Sequence, residues 1–188
     1  TGLHRRLSLA ILKAMGTGGG QTRLLLAFMM SAAVLSMLIS NTSTTLIMMP
    51  MALAVIAGGA SSPVAGGPDI AIEQDGLAGA LPMGISFFAS IGGLGTIVGS
   101  PTNGIAVQLL DDMIDYQISF AQWMLFGLPV VLLGVPLAAA IIAWVQRVKD
   151  HPFNINAARE AIDDAAPWSI AEKRLVPIVA IAFALWMS

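Results

Sequence analysis

The sequence predicts an all-α polytopic membrane protein: a re-entrant helical hairpin, a broken transmembrane helix and a continuous span. Three observations lead there. Of 188 residues, 56% are hydrophobic and only 11% charged, against about 25% charged in an ordinary soluble domain; a soluble core of this length cannot hide that much apolar surface, whereas lipid can. All 9 Lys and Arg fall in two blocks, Arg5 to Arg23 and Arg147 to Arg174, with none from Leu24 to Gln146. Two polar, helix-breaking patches, 40–45 and 92–104, interrupt otherwise apolar segments.

The charge pattern sets the expected topology. Basic residues mark the cytoplasmic side, so segments 1–23 and 147–174 are expected in the cytoplasm, with an even number of crossings between them. The acidic group Asp111, Asp112 and Asp115 is expected in an external loop. This is the pattern of a multi-pass protein of the cell (inner) membrane, with the lipid bilayer as its first partner. The basic blocks are too short and sparse for a nucleic-acid partner. Cysteine is absent, which excludes disulfides, thiolate metal sites and a Cys nucleophile. No signal peptide is recognisable. A first residue other than Met and a last residue inside an apolar run make a longer protein the expectation.

In chain order, residues 1–20 place Leu3, Leu7, Ala10, Ile11 and Ala14 at helical spacing with Arg5, Arg6 and Lys13 elsewhere, predicting an amphipathic interfacial helix or a connecting helix. Residues 24–58 hold two apolar runs on either side of the polar tip 40–45. A single helix would bury six consecutive polar residues, while two spans or a re-entrant hairpin both satisfy the parity of crossings. Each run is about 16 residues, short of the roughly 20 that a span needs, and this favours the hairpin. Residues 59–76 read as a loop rich in Gly, Ser and Pro. Residues 77–110 read as one transmembrane element broken in the middle, because five glycines and a proline between Gly92 and Gly104 cannot continue an ordinary helix. Residues 123–146 form a full span with Trp123 and Trp144 as interfacial aromatics. Residues 147–174 are a cytoplasmic connection, with a short helix expected at 157–165, and 175–188 start the next transmembrane helix.

The chemistry is expected at the two breaks. Non-helical backbone at membrane depth survives only where protein or a wet cavity satisfies its polar groups, and facing broken helices are how secondary transporters build midplane binding sites. Hydroxyls, amide oxygens and freed carbonyls suit a sodium ion. Ser36 and Ser40 are four apart, expected on one helical face with Asn41 adjacent. A helix restarting near Thr42 would aim its positive end at the tip, ready for an anion, with the Thr42 hydroxyl as a donor. Gly99 lets the backbone approach a ligand. A lone Ser such as Ser86 or Ser90 ordinarily bonds its own backbone; six polar residues in a row need another explanation. No Asp, Glu, Lys, Arg or His lies within 24–57 or 77–110, which favours sodium coupling or exchange over proton coupling. His4 and His151 lie outside the apolar segments, so a Ser hydrolase is poorly supported, and no Cys/His or acidic cluster offers a transition-metal site.

The run LLLAFMMSAAVLSMLISNTSTTLIMMPMAL (24–53), followed by SIGGLGTIVGSPTNGIA (90–106), strongly resembles the divalent anion/sodium symporter (DASS) family, as do the opening TGLHRRLSLAIL and the closing AEKRLVPIVAIAFALW. The resemblance covers nearly the whole chain, and the pairing of Ser-Asn-Thr with Gly-Ser-Pro is specific. It implies a homodimeric, elevator-type transporter of two inverted repeats, each with a Ser-Asn-Thr hairpin, of which this chain matches the first half. It also implies sodium-coupled symport of divalent anions, C4-dicarboxylates such as succinate, with sulfate symport, dicarboxylate exchange or a non-transporting scaffold as alternatives. It is not an enzyme family. The implied sodium ligands are Ser36, Ser40, Asn41 and the Gly99 carbonyl; the implied substrate contacts are Asn41, Thr42 and Ser100. The family usually has a second proline where this chain has Thr102, which either adds a hydroxyl to the substrate site or is simply accommodated. The second motif and second sodium site lie outside the chain, so the chain alone is not expected to transport.

Overall fold

The computed structural model describes residues 20–59, 76–150 and 154, and single positions between 174 and 185, which are helical. Helices α1 (Gln21–Leu38), α2 (Asn41–Gly59), α3 (Gly76–Gly93), α4 (Pro101–Ile114) and α5 (Phe120–Val145), with a 3-10 turn at Ile97–Gly99 between α3 and α4, make up the rest. There is no strand among the described residues.

Helix α3 is the axis on which the others pack. Its small residues let neighbouring backbones close in, as is usual between membrane helices. Gly84 lies beneath Met29 and Gly92 against the Ala33 backbone, so α1 runs parallel to α3. Phe28, Met29, Ala32, Leu81, Ile85 and Phe88 are fully buried in this seam. Helix α5 runs antiparallel to α3. At one end the Trp123 indole donates to the Leu94 carbonyl at 3.0 Å; at the other the Gly76 N–H donates to the Gln146 carbonyl at 2.7 Å. The start of α5 is a capping box in which Ser119 and Gln122 satisfy each other's backbone N–H. Helix α2 starts with Asn41 against Gly93 and ends at Gly59, whose carbonyl accepts from Asn154 N–H, near the segment that follows α5. Helices α1 and α2 therefore form a hairpin laid on α3, with its tip beside the α3–α4 break.

The outer faces are apolar. Leu125, Phe126, Leu133 and Leu137 of α5 are each at least 64% exposed, a distribution that suits lipid and not water. α1, α2, α3 and α5 are each long and apolar enough to cross a membrane, so the protein is a multi-pass membrane protein. Thr22 of α1 lines a cavity together with Trp144 at the end of α5 and Arg147 and Lys149 after it, so the two basic blocks, where described, lie at one end of the bundle.

Several elements differ from the sequence expectation. Helices α1 and α2 have 18 and 19 residues, about 27 and 28 Å; the polar caps Gln21, Thr22 and Asn41 to Thr45 join the helices, so segment length no longer argues for re-entrance over spanning. The hairpin itself, with its tip against the α3–α4 break, is what the fold shows. Asp111 and Asp112 belong to the last turn of α4 and Asp115 is its C-cap in the left-handed region at φ 53°; the acidic group ends a helix and does not form a loop, because Pro101 opens a helix that runs on to Ile114. The predicted helices in 1–20 and 157–165 and most of the loop 59–76 lie outside the described residues.

Candidate functional site

The hairpin tip is narrower than its polar sequence. Helix α1 ends at Leu38 because Ile39 is extended (φ −134°, ψ 166°). Ser40 then caps α2: its Oγ accepts from Ser43 N–H at 3.3 Å and its carbonyl from Thr44 N–H at 2.9 Å. The Asn41 and Thr42 N–H groups ahead of them have no intrahelical acceptor, and the positive end of α2 points out of the tip.

The opposing break is held by two polar side chains. After Gly93 the chain turns through Gly95, and Thr96 locks the turn to the hairpin: its hydroxyl donates to the Met37 carbonyl at 2.5 Å and accepts from Gly99 N–H at 3.0 Å. From the first turn of α4, the buried Asn103 amide donates to the carbonyls of Gly93 at 2.7 Å and Thr96 at 2.8 Å. Asn103→Ala would take the donor from the Gly93 carbonyl and leave the Thr96 carbonyl only the Gly99 N–H at 3.3 Å, at a cost of about 1–3 kcal/mol. The expected result is a clearly lower melting temperature of the detergent-solubilised protein; unchanged melting would show that the carbonyls find other donors.

Between the two breaks lies Asn41. Its amide nitrogen donates to the carbonyls of Gly99 at 3.2 Å and Ala89 at 3.0 Å and faces Ser36 Oγ at 2.6 Å. Gly93 is required beneath it, since a Cβ there would occupy the amide's place. Turned by 180°, the same amide would put its oxygen among two carbonyls and a hydroxyl, with Ser36 Oγ donating to it at 2.6 Å. So turned, the Asn41 oxygen would join the Ser36 hydroxyl and the Gly99 and Ala89 carbonyls, four oxygens with no fixed charge among them; this is the ligand chemistry of a hard cation, and the residues fit sodium on that ground. The C-terminal carbonyl ends of α1 and α3 and the N-terminal ends of α2 and α4 meet here. This is the arrangement by which discontinuous helices serve a cation and an anion together.

The structure thus brings Ser36, Asn41 and Gly99 together. It does not bring Ser40 to Ser36 along a shared helical face, because the helix breaks between them; the Ser40 hydroxyl is engaged with Ser43 Oγ at 2.9 Å. Thr42 and Thr102 are exposed and Ser100 half-exposed, with the Ser100 and Thr102 hydroxyls 2.6 Å apart at the start of α4. Thr102 therefore stands as a partner to Ser100. Sequence reasoning missed Thr96, Asn103 and the Ala89 carbonyl. The first two were detectable as polar residues inside the glycine-rich break, whereas a backbone carbonyl of an apolar residue leaves no trace in the sequence.

The whole chain, residues 1–188, matches the citrate transporter family (CitMHS). A stretch of 101 residues, 54% of the chain, is 33% identical to an uncharacterized transporter of Haemophilus influenzae, covering 20% of that protein. Another of 111 residues, 57% of the chain, is 32% identical to the sodium-dependent dicarboxylate transporter SdcS of Staphylococcus aureus strain USA300, covering 21% of it. The match thus spans about a fifth of the length of these relatives.

Proposed function

The chain belongs to the citrate transporter family, and on that premise we propose that it carries the first ion- and anion-binding half of a secondary active transporter. In this reading, inward sodium flow drives uptake of a divalent anion, a C4-dicarboxylate such as succinate. The observation that supports it most is the Asn41 cluster, where Ser36 Oγ and the Gly99 and Ala89 carbonyls converge on one amide within 3.2 Å. The sodium ligands are Ser36, Asn41 and the Gly99 carbonyl, with Ser40 contributing from the cap of α2. The anion meets Asn41, Thr42, Ser100 and Thr102, whose hydroxyls and helix N-termini offer donors without a fixed positive charge. The name of the Staphylococcus aureus relative favours sodium and dicarboxylate for this site as well. The complete transporter is a homodimer of inverted-repeat protomers with an elevator-type movement, in the cell (inner) membrane, its segments 1–23 and 147–174 cytoplasmic.

A second reading rests on the family description, which names citrate: the same donors would serve a tricarboxylate. Uptake of labelled succinate, citrate and sulfate into liposomes holding the complete protein that carries this sequence, with and without a sodium gradient, tests both. Sodium-stimulated succinate uptake is expected. Equal uptake without the gradient would remove the symport reading, and a preference for citrate would move the substrate to the tricarboxylates.

A further inference from the structure

Helical Ser and Thr among the described residues follow one habit. Past the first turn of each helix, Ser31, Thr45, Ser86 and Ser90 all donate their hydroxyls to the carbonyl four residues back, the usual way to satisfy a hydroxyl in a membrane helix. Two residues depart from it. Ser36 instead holds its Oγ 2.6 Å from the Asn41 amide. Thr44 is fully buried, and its Oγ1 has no hydrogen-bond partner among the described residues. The habitual bond was open to it, because the Ser40 carbonyl lies one turn back and already accepts from Thr44 N–H. Both exceptions flank Asn41, one from α1 and one from α2.

We propose that the Thr44 hydroxyl is a further oxygen of the cation site, facing sodium directly or through one bound water. This rests on the sodium reading given above. Thr44 is three residues after Asn41, so the two share a face of α2 with Cβ atoms about 5–6 Å apart. One oxygen-ligated cation or one water bridges that separation. A hydroxyl suits either, having two lone pairs for a cation and a proton for a water. A buried hydroxyl with no partner calls for an explanation, and this one stands one turn along α2 from an amide already set among two carbonyls and a hydroxyl. The Oγ1 of Thr44 needs a ligand, and the nearest chemistry on its helix face is a cation's.

The test uses the complete protein carrying Thr44→Val, which keeps the shape and removes the hydroxyl, and Thr44→Ser, which keeps the hydroxyl. Sodium activation of uptake is measured, together with the rise in melting temperature that sodium alone produces, since a ligand of the folded state stabilises it by mass action. Thr44→Val is expected to raise the half-saturating sodium concentration about tenfold and to shrink the sodium-induced thermal shift, while Thr44→Ser stays near the wild type. Thr44→Val should melt at or above the wild type without sodium, because only an unpartnered hydroxyl is lost, so misfolding would not mimic the effect. If the wild type responds to sodium and Thr44→Val responds identically, the Thr44 proposal falls and the sodium reading stands. If the wild type ignores sodium in both measurements, the sodium reading fails, and Thr44 as its ligand fails with it.

Discussion

Asn41→Ala is expected to abolish sodium-dependent uptake while leaving the helical fold in place. The side chain is the hub of the candidate site: one amide faces the Gly99 carbonyl, the Ala89 carbonyl and the Ser36 hydroxyl. No neighbouring side chain can replace it, since Gly93 beneath it offers only space. Alanine removes a group that links the α1–α2 hairpin, the end of α3 and the α3–α4 break. It also removes the amide's bonds to the Gly99 and Ala89 carbonyls, at a cost of about 1–3 kcal/mol. That cost is tolerable, because the main seam between α1 and α3, around Phe28, Met29 and Phe88, is untouched. Circular dichroism should therefore retain the helical signal while uptake loses its sodium response. Retained uptake with unchanged sodium affinity would take Asn41 out of the site.

The parts of this fold legible in the sequence are those in which polarity contradicts an apolar environment. Six consecutive polar residues at 40–45 and the glycine run at 92–104 announce breaks, because membrane helices do not carry such runs by chance. The structure puts breaks at Ile39–Ser40 and at Leu94–Ser100. Less legible was which side of each break a residue joins. The sequence sets 40–45 apart as a polar tip with a helix restarting near Thr42, yet Asn41 to Thr45 already form the start of α2, because Ser40 supplies the cap their N–H groups need. The same shift dissolves the argument that Ser36 and Ser40 share a helical face. Asn103 was hidden for a related reason: after Pro101 it looks like one more polar residue in a loop, and only the folded chain turns it back onto the carbonyls of Gly93 and Thr96. Periodicity reports faces of continuous helices, and this site joins residues across the points where continuity fails.

Gly92→Ala is expected to damage both the fold and the site, and Gly104→Ala to damage neither. A Cβ at Gly92 would lie on the backbone of Ala33, and backbone cannot rotate out of the way as a side chain can. Helices α1 and α3 would have to separate along the seam that buries Phe28, Ala32 and Phe88. Overpacking typically costs about 1–3 kcal/mol, and a clash with backbone belongs at the upper end. The consequence for function is direct. Ser36 rides on α1, while Ala89 and Gly93 ride on α3, so moving the helices apart pulls the oxygens around Asn41 out of register. A lowered melting temperature and a weakened sodium response should appear together. At Gly104, in α4, an added Cβ meets nothing within 4 Å, and alanine gains up to about 1 kcal/mol of helix propensity over glycine. That variant should melt at or above the wild type. If Gly92→Ala melts with the wild type and keeps its sodium response, the close seam between α1 and α3 is not what holds the candidate site together.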